Sequence, residues 1–175
     1  MKSIAVLISD GSEEIEALTP VDVLRRAGVN VKLISVCNEK ITGSHKIAIT
    51  ADGVIDKEDL SIYDGIVIPG GMPGAKIISE NAIAVNAISN AVKSGKLVAA
   101  ICAAPAVVLA AHGLIKNKKV TCYPASAFIE EIEKTATYTG NNTEKDCNVI
   151  TANGPKSAME FSFEICKFLG VEPKF

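Results

Sequence analysis

The sequence lacks several features that would assign it to a specialised class of protein. Its 175 residues include no tryptophan, aromatic residues make up only 5%, and the net charge is −2. Lysine and arginine are scattered rather than clustered into the basic stripe that nucleic acid requires, so we expect no nucleic acid partner. No apolar run approaches the roughly 20 residues of a membrane span, and no leader or lipidation motif is evident. We therefore expect a cytoplasmic protein without a membrane partner.

Paired cysteines and clustered histidines are also missing. The five cysteines are an odd number, widely spaced and without a CxxC motif, and there are only two histidines. This pattern excludes a disulfide framework and a zinc site, and it favours free thiols in a reducing compartment. We expect no bound metal.

The loop after the first predicted strand has no phosphate-binding pattern. The segment "SDGSEEIE" lacks both GxGxxG and GxxxxGK[ST], and it carries Asp10, Glu13, Glu14 and Glu16 instead. Negative charge at this position repels a nucleotide phosphate, and the loop offers few donors for a flavin phosphate. The loop is therefore not expected to bind a dinucleotide or a flavin or to accept a phosphate group, and we expect no cofactor.

Apolar strands alternate with amphipathic helices along most of the chain. The pattern predicts strands at 3–9, 30–36, 63–71, 96–102 and 118–124, a strand pair in "ATYTG" and "CNVITANG", and helices at 13–28, 81–95, 103–113, 126–134 and 155–170. Residues 40–60 indicate short strands or a hairpin. Alternating strands and helices predict one doubly wound α/β domain over 1–175, with a mostly parallel sheet and helices on both faces.

A cysteine stands where a predicted strand passes into a predicted helix. Cys102 in "VAAICAAPAVVLAAHG" has small alanine neighbours on both sides, which permits the sharp turn of a nucleophile elbow. The start of a helix favours thiolate over thiol, so we expect a lowered pKa. The alternative is a small buried apolar residue, as most free cysteines are.

The glycine-rich loop "PGGMPGA" is the second candidate element. Gly70 and Gly71 leave the backbone uncovered, so their N–H groups could serve a developing oxyanion. The alternative is a tight turn between a strand and a helix.

A nucleophilic thiol needs a partner for its proton, and neither histidine is well placed. His112 lies about 15 Å along the predicted helix from Cys102, and His45 falls in the irregular excursion, where we expect exposure. The acids of the first loop are better candidates, because we expect their strand to lie beside the strand of Cys102. A carboxyl there would have a raised pKa and could donate a hydrogen bond. The residues alone do not choose among the four acids.

Five stretches together resemble the ThiJ/PfpI superfamily, in particular the branch of the Parkinson-disease-associated deglycase and bacterial ThiJ-like proteins. They are "GSEEIEALTPVDVLRRAG", "DGIVIPGGMPGA", "VAAICAAPAVVLAAHG", "KVTCYP" and "NGPKSAMEF", in family order over nearly the whole chain. The resemblance implies a flavodoxin-like three-layer sandwich, a homodimer and an oxidation-prone nucleophilic cysteine.

The resemblance also implies roles for particular residues. Cys102 matches the nucleophile and Glu16 the carboxyl that hydrogen-bonds it, while Gly71 and Ala103 match the backbone donors that face the sulfur, with Gly70 beside them. The chain departs from many relatives at "TCYP", where Tyr123 replaces the histidine before Pro124. Tyr123, Pro124 and Cys122 are expected to line the site, and a disulfide between Cys122 and Cys102 is a weaker alternative.

Two functions from different classes follow from these residues and the resemblance. The first is a cofactor-free enzyme of the glyoxalase or deglycase type, acting on reactive dicarbonyls or on glycated proteins through Cys102. The alternative is a redox sensor or chaperone-like protein in which Cys102 is oxidised to sulfinate. A cysteine peptidase is less favoured, because no histidine is placed to activate the thiol.

Overall fold

A mostly parallel sheet of seven strands runs through the centre of the molecule. The structure is a computed structural model that describes residues 1–175. Its strands are β1 Ser3–Ile8, β2 Asn30–Ser35, β3 Lys40–Thr42, β4 Ala48–Thr50, β5 Gly53–Val54, β6 Gly65–Ile68, β7 Leu97–Ile101, β8 Lys119–Val120, β9 Thr137–Tyr138, β10 Thr143–Asp146 and β11 Val149–Ala152. The seven strands lie in the order β10-β11-β7-β6-β1-β2-β5, and only the β10–β11 pair is antiparallel.

Helices cover both faces of this sheet. They are α1 Glu14–Arg26, α2 Gly74–Glu80, α3 Ala82–Lys93, α4 Ser126–Glu133 and α5 Ala158–Leu169, with a π-helix at Pro105–Ala110. Side chains of α1 and α5 join one apolar cluster, and those of α2, α3, α4 and the π-helix join another on the opposite face. The strands between the two clusters are buried on both sides, which explains their nearly continuous apolar sequences. The predicted flavodoxin-like three-layer sandwich is confirmed.

Helix α1 has the charges that its dipole favours. Acids occupy its first turn, Arg25 and Arg26 its last, and the Glu13 side chain caps the free N–H of Glu16. The short strands β3 and β4 form the antiparallel hairpin expected within residues 40–60. Thr42 of this hairpin accepts a hydrogen bond from Gly11 N–H and donates one to Asp10, so the hairpin is fastened to the loop that precedes α1.

Several predicted elements differ from those observed. The strand expected at 118–124 shortens to β8, which pairs with β9 in a separate two-stranded sheet. The predicted pairing of "ATYTG" with "CNVITANG" is wrong, because β11 pairs instead with β10 and β7. The sequence pattern predicts no helix between the glycine loop and the helix at 81–95, but α2 begins at Gly74 within that loop and continues to Glu80.

The order of the strands also corrects the expected neighbours of Cys102. Strand β1 lies two places from β7, with β6 between them, so the strand of the first-loop acids is not beside the strand of Cys102. The carboxyl ends of β1, β6 and β7 nevertheless meet at one edge of the sheet. In doubly wound folds this edge is where ligands bind.

Candidate functional site

Cys102 occupies a tight elbow at the carboxyl end of β7. Its backbone has φ +65°, a left-handed conformation that costs a residue with a side chain of order 1–3 kcal/mol. Two hydrogen bonds hold this conformation: Cys102 N–H donates to the Ala152 carbonyl, and the Cys102 carbonyl accepts from Tyr123 N–H, both at 2.9 Å. The predicted elbow is therefore present, and neighbouring segments maintain its strained backbone.

The helix after the elbow is not the one expected over 103–113. It is a π-helix at Pro105–Ala110, followed by turns. The proline at its first position has no N–H group to offer to the sulfur. The donors near the sulfur are instead the single N–H groups of Gly71 and Ala103, each of which lowers the pKa of Cys102.

Glu16 is the acid that reaches the elbow. Although it lies in the first turn of α1, it is fully buried. Its Oε2 accepts a hydrogen bond of 2.8 Å from Gly70 N–H, while its Oε1 is buried without a partner within strict hydrogen-bond geometry. Burial raises the pKa of Glu16, and contact with the Cys102 side chain offsets part of that rise.

The other three acids of the loop have different roles. Asp10 accepts from Thr42 N–H in the hairpin, and Glu13 caps Glu16 N–H. Glu14 accepts from the backbone N–H groups of His45 and Ile47 in the β3–β4 turn. Of the four acids, Glu16 alone lies against the elbow, and it is the acid that the family resemblance implies.

Gly70 and Gly71 leave room for these contacts. A Cβ atom at Gly70 would lie 2.6 Å from Cys102 Cβ and 2.7 Å from Glu16 Oε2. At Gly71, which has φ +83°, a Cβ atom would lie 2.5 Å from Glu13 N. Gly71 N–H faces the sulfur as expected, whereas Gly70 N–H, predicted as an oxyanion donor, is occupied by the Glu16 carboxylate.

Burial controls the protonation of the two reactive groups. It raises the pKa of Glu16 to about 7, with a smaller contribution in the same direction from the charge of Glu13. Burial, followed by the charge of Glu16 and a hydrogen bond with it, raises the pKa of Cys102 to about 12. The expected lowering of the Cys102 pKa is therefore wrong. Two negative charges in one buried site repel each other, so the pair retains one proton over a wide range of pH.

The segment predicted to line the site is attached to the elbow through its backbone. The Tyr123 side chain is 46% exposed, and Gly154 lies against its ring, where an added Cβ would be 3.4 Å from Cδ2. Pro124 is exposed beside it. Cys122 is buried, and its Sγ faces the Tyr123 carbonyl at 3.3 Å. Both Cys102 and Cys122 are free thiols.

Neither histidine contacts Cys102 or Glu16. His112 Nε2 lies 3.0 Å from the hydroxyl and the carbonyl of Ser79, in agreement with the prediction that it does not serve the thiol. His45 is exposed as expected, but its Nδ1 lies 3.1 Å from Glu14 Oε2. The sequence reasoning missed this contact, because the turn that produces it brings together residues 31 positions apart.

Glu13, Glu14 and His45 form the one group of three side chains whose ligand atoms all lie within 4.8 Å of one another. Glu14 already accepts hydrogen bonds from two backbone N–H groups of the β3–β4 turn, and its other oxygen faces the imidazole. These contacts satisfy the carboxylate without a cation. We therefore describe the group as a hydrogen-bonded cluster that fastens the hairpin to α1.

A cavity of about 690 Å³ lies at the opposite edge of the sheet. It is lined by residues near the start of β6 and β7, including Tyr63, Gly65 and Lys96, and it contains no cysteine or histidine. The strained Cys102, the buried Glu16 and the free backbone N–H groups all lie at the carboxyl edge of the sheet. We therefore assign the candidate active site to that edge.

The fold and the site together define a doubly wound α/β sandwich with a cysteine elbow that faces a buried glutamate. The model of the DJ-1/PfpI family matches residues 2–168, and the chain belongs to this family.

Named relatives agree with this assignment. The chain is 38% identical to Protein DJ-1 homolog B of Arabidopsis thaliana over 97% of its own length, and 34% identical to Protein dj-1beta of Drosophila melanogaster over 99%. It spans 92% of the Drosophila protein but only 38% of DJ-1 homolog B and 43% of DJ-1 homolog A of Arabidopsis.

Solved structures have the same fold. Oxidized DJ-1 of Toxoplasma gondii superposes with a TM-score of 0.89 at 36% identity, covering 97% of this chain and 91% of that one. Drosophila melanogaster DJ-1beta superposes with a TM-score of 0.90 at 34% identity, covering 96% and 90%. No helix of this chain combines the length and apolar character needed to span a membrane.

Proposed function

We propose that the protein is a cofactor-free enzyme of the glyoxalase or deglycase type, acting on reactive dicarbonyls or on the adducts they form with proteins. The observation that carries the proposal is the fully buried Glu16, whose Oε1 has no partner and whose carboxyl group contacts the thiol of Cys102. A buried acid with a pKa near neutrality can both give and take a proton, as general acid–base catalysis requires.

The proposed reaction begins at the Cys102 sulfur. The one proton that the pair retains first passes from the Cys102 thiol to Glu16. The thiolate then attacks the aldehyde carbon of methylglyoxal, a C–S bond forms as the carbonyl π bond breaks, and the carbonyl oxygen takes the proton from Glu16 to give a hemithioacetal. The N–H groups of Gly71 and Ala103, which face the sulfur, can also stabilise the developing oxyanion.

Glu16 then moves a proton between the two carbons. As carboxylate it removes the proton from the former aldehyde carbon and returns it to the adjacent carbon, while the hydroxyl proton of the hemithioacetal passes to the oxygen of the adjacent carbonyl. The product is a thioester of lactate. Water cleaves the thioester, releasing lactate and regenerating the thiol. No external oxidant or reductant is required, because one carbon of the substrate is oxidised while its neighbour is reduced.

Lactate formation from methylglyoxal tests this proposal. Replacing Cys102 by Ser should lower the rate by at least about a hundredfold, since a hydroxyl at neutral pH is a far weaker nucleophile than a thiol. Cys122→Ser is the matched control, because Cys122 is a free thiol on the adjoining segment. It should retain most of the activity, since the Cys122 sulfur faces the Tyr123 carbonyl. Equal rates for the wild type and Cys102→Ser would exclude the thiol mechanism.

A redox function of Cys102 is the second candidate. The Toxoplasma gondii relative is an oxidized DJ-1, which supports oxidation as a property to test in this chain. A sulfinate at Cys102 would lie near two backbone N–H groups and a Glu16 able to donate a proton. After mild peroxide treatment, mass spectrometry should find two added oxygens at Cys102 before any other cysteine. Earlier oxidation of Cys37 or Cys166 would argue against this function.

We also propose that the protein is a cytoplasmic homodimer. Three large apolar side chains, Ile15, Leu18 and Ile47, are exposed on α1 and the β3–β4 hairpin, where a second copy could cover them. Sedimentation should give twice the monomer mass of 18.3 kDa, and Leu18→Glu should return it toward the monomer. A wild-type monomer at micromolar concentration would contradict the proposed assembly.

A further inference from the structure

The cavity of about 690 Å³ at the amino edge of the sheet lies between helix α3 and the chain that crosses from β5 to β6. Residues 58–61 and Tyr63 of the crossing form one wall, residues of α3 form the other, and Gly65 and Ile66 lie at its base. Its lining includes no residue of α1, of the β3–β4 hairpin or of the Cys102 elbow. The cavity is therefore separate from both the candidate active site and the proposed dimer surface. Its volume is in the range of small-molecule sites, about 300–1,000 Å³.

Helix α3 has an apolar stripe beside the one that it buries in the core. Ala84 and Ile88 are fully buried in the apolar cluster on this face of the sheet. Ile83, Ala87 and Ala91 are spaced four residues apart, so they lie along an adjacent side of the helix, and all three line the cavity. Ile83 is 45% exposed although its side chain is large and apolar. An apolar ligand in the cavity would remove this surface from water, which favours binding.

Hydrogen bonds fix the position of the crossing segment. Lys96 Nζ donates to the carbonyls of Ser61 at 2.6 Å and Tyr63 at 2.9 Å. The Tyr63 hydroxyl donates to Glu58 Oε2 at 3.2 Å, and Glu58 Oε1 pairs with Lys32 at 2.9 Å. The cavity is therefore formed before any ligand enters, which lowers the cost of ordering this segment on binding.

Positive charge is in excess around the cavity. Lys93, Lys96, Glu58 and Asp59 line it, and Glu58 is paired with Lys32 outside the lining. Three lysines thus face two acids. Neither Lys93 nor Lys96 forms an ion pair within the protein. An anion in the cavity would gain a favourable electrostatic interaction, whereas a cation would be repelled.

The lining also has hydrogen-bond donors without partners. The Ser61 hydroxyl, the Asn90 side-chain amide and Lys93 Nζ make no hydrogen bond within the protein, and Lys96 uses two of its three N–H groups. The Asn90 carbonyl at the end of α3 is already occupied by the Ser94 hydroxyl, at 2.7 Å. These donors favour a ligand with acceptor oxygens. The lining contains no arginine, the residue that binds phosphate in a bidentate manner, so a carboxylate fits it better than a phosphate.

We propose that this cavity is a binding site for a small amphipathic carboxylate, a molecule with one carboxylate group and an apolar chain. The chain covers Ile83, Ala87 and Ala91, and the charge of the carboxylate is balanced by Lys93 and Lys96. The site uses neither Cys102 nor turnover, so it is independent of the proposed enzymatic function.

Octanoate, which combines one carboxylate with an apolar chain, is the probe. It is titrated into the ¹⁵N-labelled protein, and the amide chemical shifts of residues 58–66 and 83–96 are followed. We expect these shifts to saturate with a dissociation constant of about 1 mM or below. 1-Octanol, which has the same chain without the charge, should bind at least about threefold more weakly, and octylammonium at least about tenfold more weakly. Butyrate, which keeps the charge on a shorter chain, should bind at least about tenfold more weakly.

Two variants separate recognition of the charge from recognition of the chain. Lys93→Gln should weaken octanoate binding by about threefold to fivefold and leave octanol binding unchanged, because only the anion uses the lysine. Ile83→Ser should weaken the binding of both ligands by at least about threefold. Lys116→Gln removes an exposed lysine outside the cavity and is the matched control, which should bind both ligands as the parent does.

Equal affinities for octanoate and octanol would overturn the proposal, because the lysines would then play no part in binding. Shifts confined to residues outside the cavity, or no saturable shift up to about 10 mM octanoate, would also overturn it. Cys102→Ser should bind octanoate as the parent does, and loss of binding in that variant would place the ligand at the elbow instead. Because the titrations require no turnover, their outcome is distinct from a failure of methylglyoxal as a substrate.

Discussion

Cys102 and Cys122 lie on neighbouring segments, joined by a hydrogen bond from Tyr123 N–H to the Cys102 carbonyl, yet their surroundings differ. Burial alone raises the pKa of Cys122 to about 11. Burial also raises the pKa of Cys102, but Glu16 contributes as well, and two backbone N–H groups act in the opposite direction. Desolvation by itself thus produces an inert thiol, whereas the state of Cys102 depends on a second proton-binding group.

That dependence makes the reactivity of Cys102 conditional. Once Glu16 is protonated, its charge no longer opposes the thiolate, and it becomes a hydrogen-bond donor. The donors at Gly71 and Ala103 then favour the anion. Cys122 has no comparable partner, and its sulfur faces only the carbonyl of the following residue.

The largest expected difference between the two cysteines is in alkylation. Treatment with iodoacetamide at pH 8 should modify Cys102 at least about a hundredfold faster than Cys122, because Cys122 is 0% exposed and reacts only after local opening. Peptide mass spectrometry over a time course measures both rates. In urea the two sites should react at similar rates, which controls for intrinsic differences. Comparable alkylation rates of Cys102 and Cys122 in the folded protein would show that their surroundings do not make them differ in reactivity.

Replacing Glu16 by Gln should make Cys102 resemble Cys122, a buried thiol without an acid. The folded-state pKa of Glu16, about 7, lies above the ordinary value of 4.5, so its contribution to stability is fully present below about pH 4.5 and is lost as pH rises through about 7. The amide of the variant does not titrate, so the variant does not show this loss. The free energy of unfolding of Glu16→Gln, relative to the wild type, should therefore increase by up to about 3 kcal/mol between pH 4.5 and 8.

Urea denaturation at several pH values measures this difference. Glu39→Gln, at an exposed acid, is the matched control and should show no such trend. A difference between Glu16→Gln and the wild type that stays constant with pH would contradict the raised pKa of Glu16.

Gly70→Ala should separate Cys102 from its acid by steric means. The new Cβ would lie 2.6 Å from Cys102 Cβ and 2.9 Å from the Ile101 carbonyl oxygen, so the backbone must shift at a cost of about 2 kcal/mol. Turnover should fall at least about tenfold, since catalytic groups tolerate little displacement. Gly28→Ala is the control: its added Cβ meets nothing within 4 Å, and it should lose about 1 kcal/mol through its φ of +75° without altering Cys102 alkylation. Unchanged turnover in Gly70→Ala would mean that contact between Cys102 and Glu16 is unnecessary.

The elbow and the alternation of strands and helices could be predicted because they depend on local sequence. Alanines surround Cys102, glycines follow β6, and apolar periodicity marks α1, α3 and α5. The strand neighbours of Cys102 could not be predicted in the same way. Chain order does not determine strand order, and β6 lies between β1 and β7 because later strands are added on the far side of the sheet.

The protonation states of Cys102 and Glu16 also could not be predicted from the neighbouring sequence. The alanine-rich segment after Cys102 fits both α-helical and π-helical hydrogen bonding, so its sequence does not predict the π-helix at Pro105–Ala110. That Gly70 N–H serves Glu16 rather than an oxyanion depends on atoms 54 residues apart. The resemblance to the family identified Glu16, but only the burial of its carboxyl explains why its proton is retained to neutral pH.

The smallest expected effect concerns Tyr123, which lies between the two cysteines. Its backbone contacts both of them, while its side chain lies at the edge of the candidate active site. Tyr123 is 46% exposed and its phenol makes no side-chain hydrogen bond, so Tyr123→Phe should change turnover by less than about threefold. Tyr123→His introduces the imidazole that many relatives carry before this proline and tests whether the departure costs activity. A rate increase of about tenfold or more would show that an imidazole adds proton transfer that Glu16 does not supply alone. Loss of activity in Tyr123→Phe would instead assign that proton transfer to the phenol.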